Sequence, residues 1–148
     1  MRPHKKNPVI IAASMAKRLR DEDKAEICAS RSMRRTKENI KAALMHSAAI
    51  SSSCQFYYVD KIPMAVLGIV PQPDGRAVIW MLACRGIENH IGDWMRWFII
   101  HWNDYKQQYR QLYNAVYAKN ESHLALVRRL DCRIGDLNEH GFIPFWSN

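Results

Sequence analysis

The sequence predicts an α/β domain built around a mixed sheet, and three observations carry that reading. A nearly continuous apolar run over residues 77–84 stops abruptly at Arg85-Gly86. From Asp93 onward Trp94, Trp97, Phe98, His101, Trp102 and Tyr105 recur at helical spacing, and a second apolar run beginning at Leu112 closes at Asn120. The first run, with Val78, Ile79 and Trp80, has the composition of a strand covered on both faces. The aromatic stripe must turn one side of its helix toward a core. The turn between them then sits at a strand's carboxyl end and a helix's amino end, where unpaired N–H groups and the helix dipole favour an anion.

In chain order, residues 8–12 (Pro-Val-Ile-Ile-Ala) read as a short strand and residues 14–20 as a helical turn. Asp21 is the expected N-cap of a helix reaching about Ser30, with Glu22 and Asp23 complementing its dipole. Thr36 caps a second helix with Ile40, Ala43, Leu44 and Ser47 on one face. Aromatic and β-branched residues 55–59 make a strand, and Asp60-Lys61 turns it into the next, 62–70. Pro71-Gln72-Pro73-Asp74-Gly75 has hairpin turn chemistry, so 62–70 and 76–84 should pair antiparallel. A long helix over 90–109, a strand over 112–118, a helix over 122–130 and a last strand over 137–146, bent at Gly141, complete the order β-α-α-β-β-β-α-β-α-β.

The 148 residues suit one domain, residues 1–148, large enough to hide roughly 68–70% of the unfolded surface. No run approaches the roughly 20 apolar residues of a membrane helix, and residues 8–16 lack a cleavage region, so the expectation is a soluble, cytosolic protein. Cys28, Cys54, Cys84 and Cys132 show neither Cys-x-x-Cys nor His spacing, which favours reduced thiols and no metal site. Net charge is +8, with Arg2, Lys5, Lys6, Lys17, Arg18, Arg20, Arg31, Arg34 and Arg35 crowding the first quarter. Such a segment attracts polyanions: an anionic cofactor, an acidic protein surface or nucleic acid. Nucleic acid is the least favoured, because the charges fall on polar helix faces without a recognition motif.

This element order, with two helices after the first strand and an antiparallel meander before the long helix, is similar to the GNAT family of N-acetyltransferases over nearly the whole chain. The resemblance implies a sheet splayed at its centre between 78–84 and 112–118. It also implies acetyl-coenzyme A, or another acyl-coenzyme A, in the splay, with its pyrophosphate on the turn that opens the long helix. The cofactor-binding residues implied are Leu82, Ala83, Cys84, Arg85, Gly86, Ile87, Glu88, Asn89 and His90, together with Asn120 after the second splayed strand. The chain departs from the family pattern in two places. Glu88 and His90 stand where the pyrophosphate loop has glycine and a small residue, and Val127 stands where a tyrosine often serves as general acid. Trp80, Met81 and Tyr113 are large enough to fill the space expected for pantetheine.

With these departures the chain most resembles small acetyltransferase-like proteins of short-tailed bacteriophages, including the internal virion protein A family. The similarity is carried by Arg20-Asp21 with Glu26-Ile27, by Trp80-Met81-Leu82-Ala83, and by residues 112–116 leading to Asn120-Glu121-Ser122-His123. It implies a phage protein in the host cytoplasm or the virion, acting on a host protein or a small-molecule amine. A non-catalytic protein that keeps the scaffold as a virion component or a host-protein binder is the alternative.

Acyl transfer to an amine requires a base, donors for the developing oxyanion and a proton for the leaving thiolate. His123, expected on an exposed first helical turn, is the candidate base, and Tyr117 the candidate acid in place of the missing tyrosine. Arg85 suits a phosphate as a bidentate donor. Glu88 is either a remote base or a complement to the helix N-terminus. Cys84, beside Arg85 at a helix entrance, has the setting of a thiol with a lowered pKa. His90 and His101 belong to the aromatic side of the long helix, as boundary residues rather than ligands.

Overall fold

The computed structural model describes residues 7–148, so Arg2, Lys5 and Lys6 lie outside the described residues. Where a first strand was expected there is a helix, α1 (Pro8–Met15). Its start explains the difference: Asn7 Oδ1 accepts the Val9 N–H at 2.9 Å, and Pro8 supplies a helical φ at a position needing no donor. These end effects and the burial of Ala12 and Met15 outweigh the β-propensity of Val9, Ile10 and Ile11. A short 3-10 turn (Ala16–Arg18) follows, and then Leu19 makes an isolated antiparallel bridge to Cys84.

Helix α2 (Asp21–Arg31) opens with three acidic residues, but Arg20 rather than Asp21 holds the cap position, without a side-chain cap bond. Helix α3 (Lys37–Ile50) begins as expected, with Thr36 accepting the Asn39 N–H at 3.1 Å. Three strands follow: β1 (Ser53–Val59), β2 (Ile62–Pro71) and β3 (Ala77–Ala83), paired antiparallel in sequence. Asp60 and Lys61 both take positive φ, the conformation that joins twisted strands through a two-residue turn. A second 3-10 turn (Ile87–His90) leads into α4 (Ile91–Gln108), then β4 (Leu112–Tyr117) and α5 (Glu121–Arg129).

The predicted last strand is instead two, β5 (Cys132–Ile134) and β6 (Phe142–Ser147), with Leu137 exposed between them. Gly141, at φ +86°, turns the chain into β6 rather than bulging a continuous strand. The six strands lie in the order β1-β2-β3-β4-β6-β5.

Side chains alternate across this sheet and feed two cores. On one face Trp94, Phe98, Trp102 and Tyr105 of α4 bury against Leu67, Ile69, Ile79 and Val116, so the aromatic stripe does face the sheet. On the other, Met15, Leu19, Ile40 and Leu44 pack on Val66 and Leu82. Trp80 lies on this second face directly over Gly68, where a Cβ would collide with the indole, and its Nε1 donates to Ser51 Oγ at 2.8 Å. All four cysteines are free thiols. Among the described residues no helix is long and apolar enough to cross a membrane.

Candidate active site

The two central strands, β3 and β4, run parallel and pair only at Ala77–Leu112 and Val78–Tyr113. Beyond those rungs they part, so the splay opens near the start of the 78–84 and 112–118 segments. Asn114 sits at the apex. Its Nδ2 donates to the Ile79 carbonyl at 2.7 Å, and its Oδ1 accepts the Ala115 N–H at 2.8 Å. One side chain thus satisfies a carbonyl on one strand and an amide on the other, at the point where the ladder stops supplying partners. Cys84 N–H bonds back to Met64 on the β2 side, so strand alternation turns Ile79, Met81 and Ala83 toward the gap. Met81 therefore presents its N–H and C=O to the gap with no strand opposite it.

At the open end α2 reaches across the gap. Asp23 Oδ2 accepts the Ala83 N–H of β3 at 2.7 Å, and Glu26 Oε2 accepts the Tyr117 N–H of β4 at 2.9 Å. The spacing of three residues puts both carboxylates on one helix face. The preceding segment completes the edge of β3, with the Arg20 N–H on the Ala83 carbonyl at 3.0 Å and the Arg85 N–H on the Arg18 carbonyl at 2.8 Å. Asp23 is fully buried and also accepts from Arg20 Nη2 at 2.8 Å and from Asn120 Nδ2 at 2.9 Å.

His123 closes this network. Its Nδ1 lies 2.9 Å from Glu26 Oε1, and its Nε2 stands 3.2 Å from Asp23 Oδ1, an ion-pair separation outside hydrogen-bond geometry. The exposed histidine expected from the sequence is in fact buried, because Asn120 caps α5 from inside the network and turns the first helical turn inward. Burial alone would lower the His123 pKa, but Asp23 and Glu26 together raise it above the usual imidazole value. Burial likewise opposes the charge on Asp23, yet His123, Arg20 and the Ala83 amide hold its pKa below the carboxylate range. The arrangement is a buried quartet of two cations and two anions, balanced when His123 is an imidazolium. Asp23, Glu26 and His123 offer atoms within 4.8 Å of one another, close enough to share a metal ion. The Arg20 guanidinium and the imidazolium already neutralise those carboxylates, which leaves an added cation little to gain.

Between apex and network lies a cavity of about 790 Å³ that reaches both faces of the sheet. Val78 to Leu82 and Asn114 to Val116 form its strand walls, Phe98 and Trp102 line one side, and His123 with Glu26 lines the closed end.

Of the cofactor-binding and catalytic candidates read from the sequence, Leu82 and His123 line this cavity; Trp80 and Met81, expected to fill it, line it as well, and Tyr113 does not. Tyr117 does not: its ring packs on Phe142 at 5.3 Å and lies under the Lys119 ammonium, and only its main-chain N–H meets the network. Ala83 and Asn120 belong to the network through their amides. Cys84 is buried, and burial raises its thiol to about 11 against the weaker pull of Arg18, so the expected lowering by the helix entrance is overturned. The 85–90 loop lies where expected, at the amino end of α4, but its amides are engaged. Gly86 N–H goes to Glu88 Oε2 at 3.1 Å, Ile87 N–H to the Cys84 carbonyl at 3.3 Å, and Asn89 N–H to the Gly86 carbonyl at 3.1 Å. The Arg85 guanidinium bonds the Lys17 carbonyl at 3.3 Å. His101 packs between Trp97 and Tyr105, whereas His90 occupies the N-cap position of α4.

Asp23, Glu26, Arg20 and Asn114 escaped sequence reasoning as site residues. The acids of α2 carry one available signal, because an acid at the third position and another three residues on exceed what dipole complementation needs. Nothing local marks Asn114.

No protein-family model matches the chain, and no curated protein sequence is similar to it. Solved structures are. The GNAT domain of a Streptomyces lividans protein, PAT, superposes with a TM-score of 0.67 at 12% identity, covering 98% of this chain and 87% of that one. An acetyltransferase from Agrobacterium tumefaciens gives 0.63 at 11% identity, with coverage of 99% and 88%. The PaiA N-acetyltransferase of Thermoplasma acidophilum, solved with coenzyme A, gives 0.61 at 10% identity, with coverage of 99% and 96%. With a central parallel pair that opens after two rungs and antiparallel strands on either side, the fold of this chain is that of the GNAT acetyltransferases.

Proposed function

We propose that this chain is an acyl-coenzyme A-dependent N-acyltransferase of bacteriophage origin, acting on an amine of a host protein or a small molecule. The observation that carries the reading is the cavity between β3 and β4, into which Met81 directs an unpaired amide and carbonyl. A narrow arm carrying amide groups is the kind of ligand such an edge recognises. The neighbour solved with coenzyme A supports the choice of cofactor. The phage origin and the host target rest on the sequence resemblance alone.

The residues fit such a cofactor in the cavity itself, where Met81 would bond the arm and Arg85, beside the α4 N-terminus, would meet its phosphates. When bound, the thioester would supply an activated acyl group. Around it, Glu26 is placed to take a proton from an amine, and His123, charged and buried between two carboxylates, is placed to hold or deliver one. Entry between Ala83 and Asn120 requires Asp23 to release the Ala83 amide, and phosphate at Gly86 requires Glu88 to turn away.

Those closed contacts favour the second reading, a non-catalytic binder or virion component that keeps the scaffold. Calorimetry at low salt separates the two. The first reading expects heat of binding with acetyl- or longer acyl-coenzyme A, lost in Arg85→Glu. Absence of heat with every acyl chain length would sink it and leave the scaffold role. A nucleic-acid role would instead appear as affinity falling steeply with salt.

A further inference from the structure

Arg31, on the last turn of α2, stands at the rim of the cavity on its α2–α3 side. Among the described residues no carboxylate lies within ion-pair reach of it. Its guanidinium is fixed instead by two neutral hydroxyls, Nη1 donating to Ser30 Oγ at 3.2 Å and Nη2 to Ser47 Oγ at 2.7 Å. A guanidinium carries five N–H donors, so most of this one is left free. Arg31 is exposed as a residue, and partial desolvation of its guanidinium lowers the pKa below the ordinary value, opposed by Cys28.

The rest of the lining supplies Arg31 with no free acid. Glu26 is the one carboxylate on the cavity wall, and it is engaged by the Tyr117 amide and by His123. His46, exposed, lines the cavity next to Ser47, buried His123 lines its closed end, and His140 belongs to an outer edge, where it stands 3.3 Å from Glu139. Beyond the rim the walls are apolar, with Ile50, Val78 and Trp80 on the way to the gap between the strands. A cation held in a planar orientation, hydroxyls beside it and apolar walls behind it match a planar anion on an apolar body.

We propose that Arg31, Ser30, Ser47 and His46 form a carboxylate-binding subsite, and that the cavity takes a small carboxylic acid with an apolar body, its head on Arg31 and its body against Trp80. This subsite is independent of the acyltransferase reading, since it uses neither the 85–90 loop nor the Asp23–His123 network.

The test is titration of the full chain with phenylbutyrate and with octanoate, each set against its uncharged amide, followed by calorimetry and by amide chemical shifts. Both acids should bind, moving the Ser30, Ser47 and Trp80 indole resonances. The amides should bind about 10-fold or more weakly, the usual cost of losing a charge-assisted bond. In Arg31→Gln the acids should lose that advantage, whereas Arg31→Lys should keep part of it. Equal binding of acid and amide, unchanged acid affinity in Arg31→Gln, or no binding of either acid up to about 1 mM would each overturn the subsite. A parallel titration with acetyl-coenzyme A keeps the two ideas apart: its failure sinks the acyltransferase reading alone, and failure of the acids sinks this one alone.

Discussion

Asp23 and Ala83 are sixty positions apart, yet Asp23 Oδ2 accepts the Ala83 main-chain N–H at 2.7 Å, so a helix side chain completes the edge of a strand. Glu26 does the same for Tyr117 on the facing strand. The sheet is therefore splayed but not left with bare amides at its wide end.

Removing one member of the buried quartet should cost far more than a surface pair. Asp23→Ala strands Arg20 and His123 without their shared anion, and a loss of about 3–5 kcal/mol is expected for breaking a buried pair from one side. Urea denaturation measures it. A loss below about 1 kcal/mol, the range of exposed pairs, would show that the network carries little stability.

The charged histidine gives stability a definite pH dependence. His123 has a raised folded-state pKa, so its contribution is complete below the unfolded value of 6.5 and fades as pH rises through the folded value. Asp23 acts in the opposite sense, contributing above 3.8 and failing as pH falls through its lowered folded value. Thermal melts of the wild type should therefore fall as pH rises above 6.5 and through the raised folded value, and His123→Gln should flatten that limb.

Cys84 should be chemically quiet. With its thiol raised to about 11, the thiolate is a minute fraction near neutrality, and burial adds a steric barrier. Iodoacetamide labelling of the folded protein, read by peptide mass, should modify the half-buried Cys54 and Cys132 before Cys84.

Glu88 occupies the Gly86 amide and adds negative charge where a phosphate would approach. Glu88→Gln should therefore tighten acyl-coenzyme A, by about 3- to 10-fold for one unit charge near a partly exposed site. Calorimetry at two salt concentrations would show the gain shrinking as salt rises.

Asn114→Leu removes both bonds at the apex, leaving the Ile79 carbonyl and the Ala115 amide to find new partners. Each unsatisfied buried group costs about 1–3 kcal/mol. The variant should unfold at lower urea, and Ile79 and Ala115 should show the largest local changes in amide exchange.

Much of the architecture was legible because it rests on short-range rules. The Asp60-Lys61 and Asp74-Gly75 turns, the Thr36 cap and the aromatic period of α4 each follow from chemistry within a few residues, and together they dictate the meander and the helix packed on it. The misreadings have equally physical causes. Val9, Ile10 and Ile11 pointed to a strand, but Asn7 and Pro8 outweighed them as a helix start. Residues 137–146 read as one strand with a bulge at Gly141, whereas the positive φ there reverses the chain ahead of β6.

The site was less legible because its parts are far apart in sequence. His123 stands out for its chemistry and its place after β4, but its burial depends on Asp23 and Glu26, about a hundred residues earlier. Cys84 and Arg85 suggested an activated thiol until Leu19 and Met15 covered it. Asn114 reads locally as an ordinary strand residue; only the missing rung beside it gives it a task.

The two-rung ladder also divides the molecule mechanically. Strands β1 to β3 form one leaf and β4 to β6 another, and main-chain bonding ties them along a spine only two residue pairs long. Each leaf is stiffened internally by long antiparallel pairing, so flexing should concentrate at the spine and at the α2 side chains that tether the far margins. In a molecule built this way, small rotations of whole leaves would widen or narrow the central slot while keeping every strand within a leaf in register.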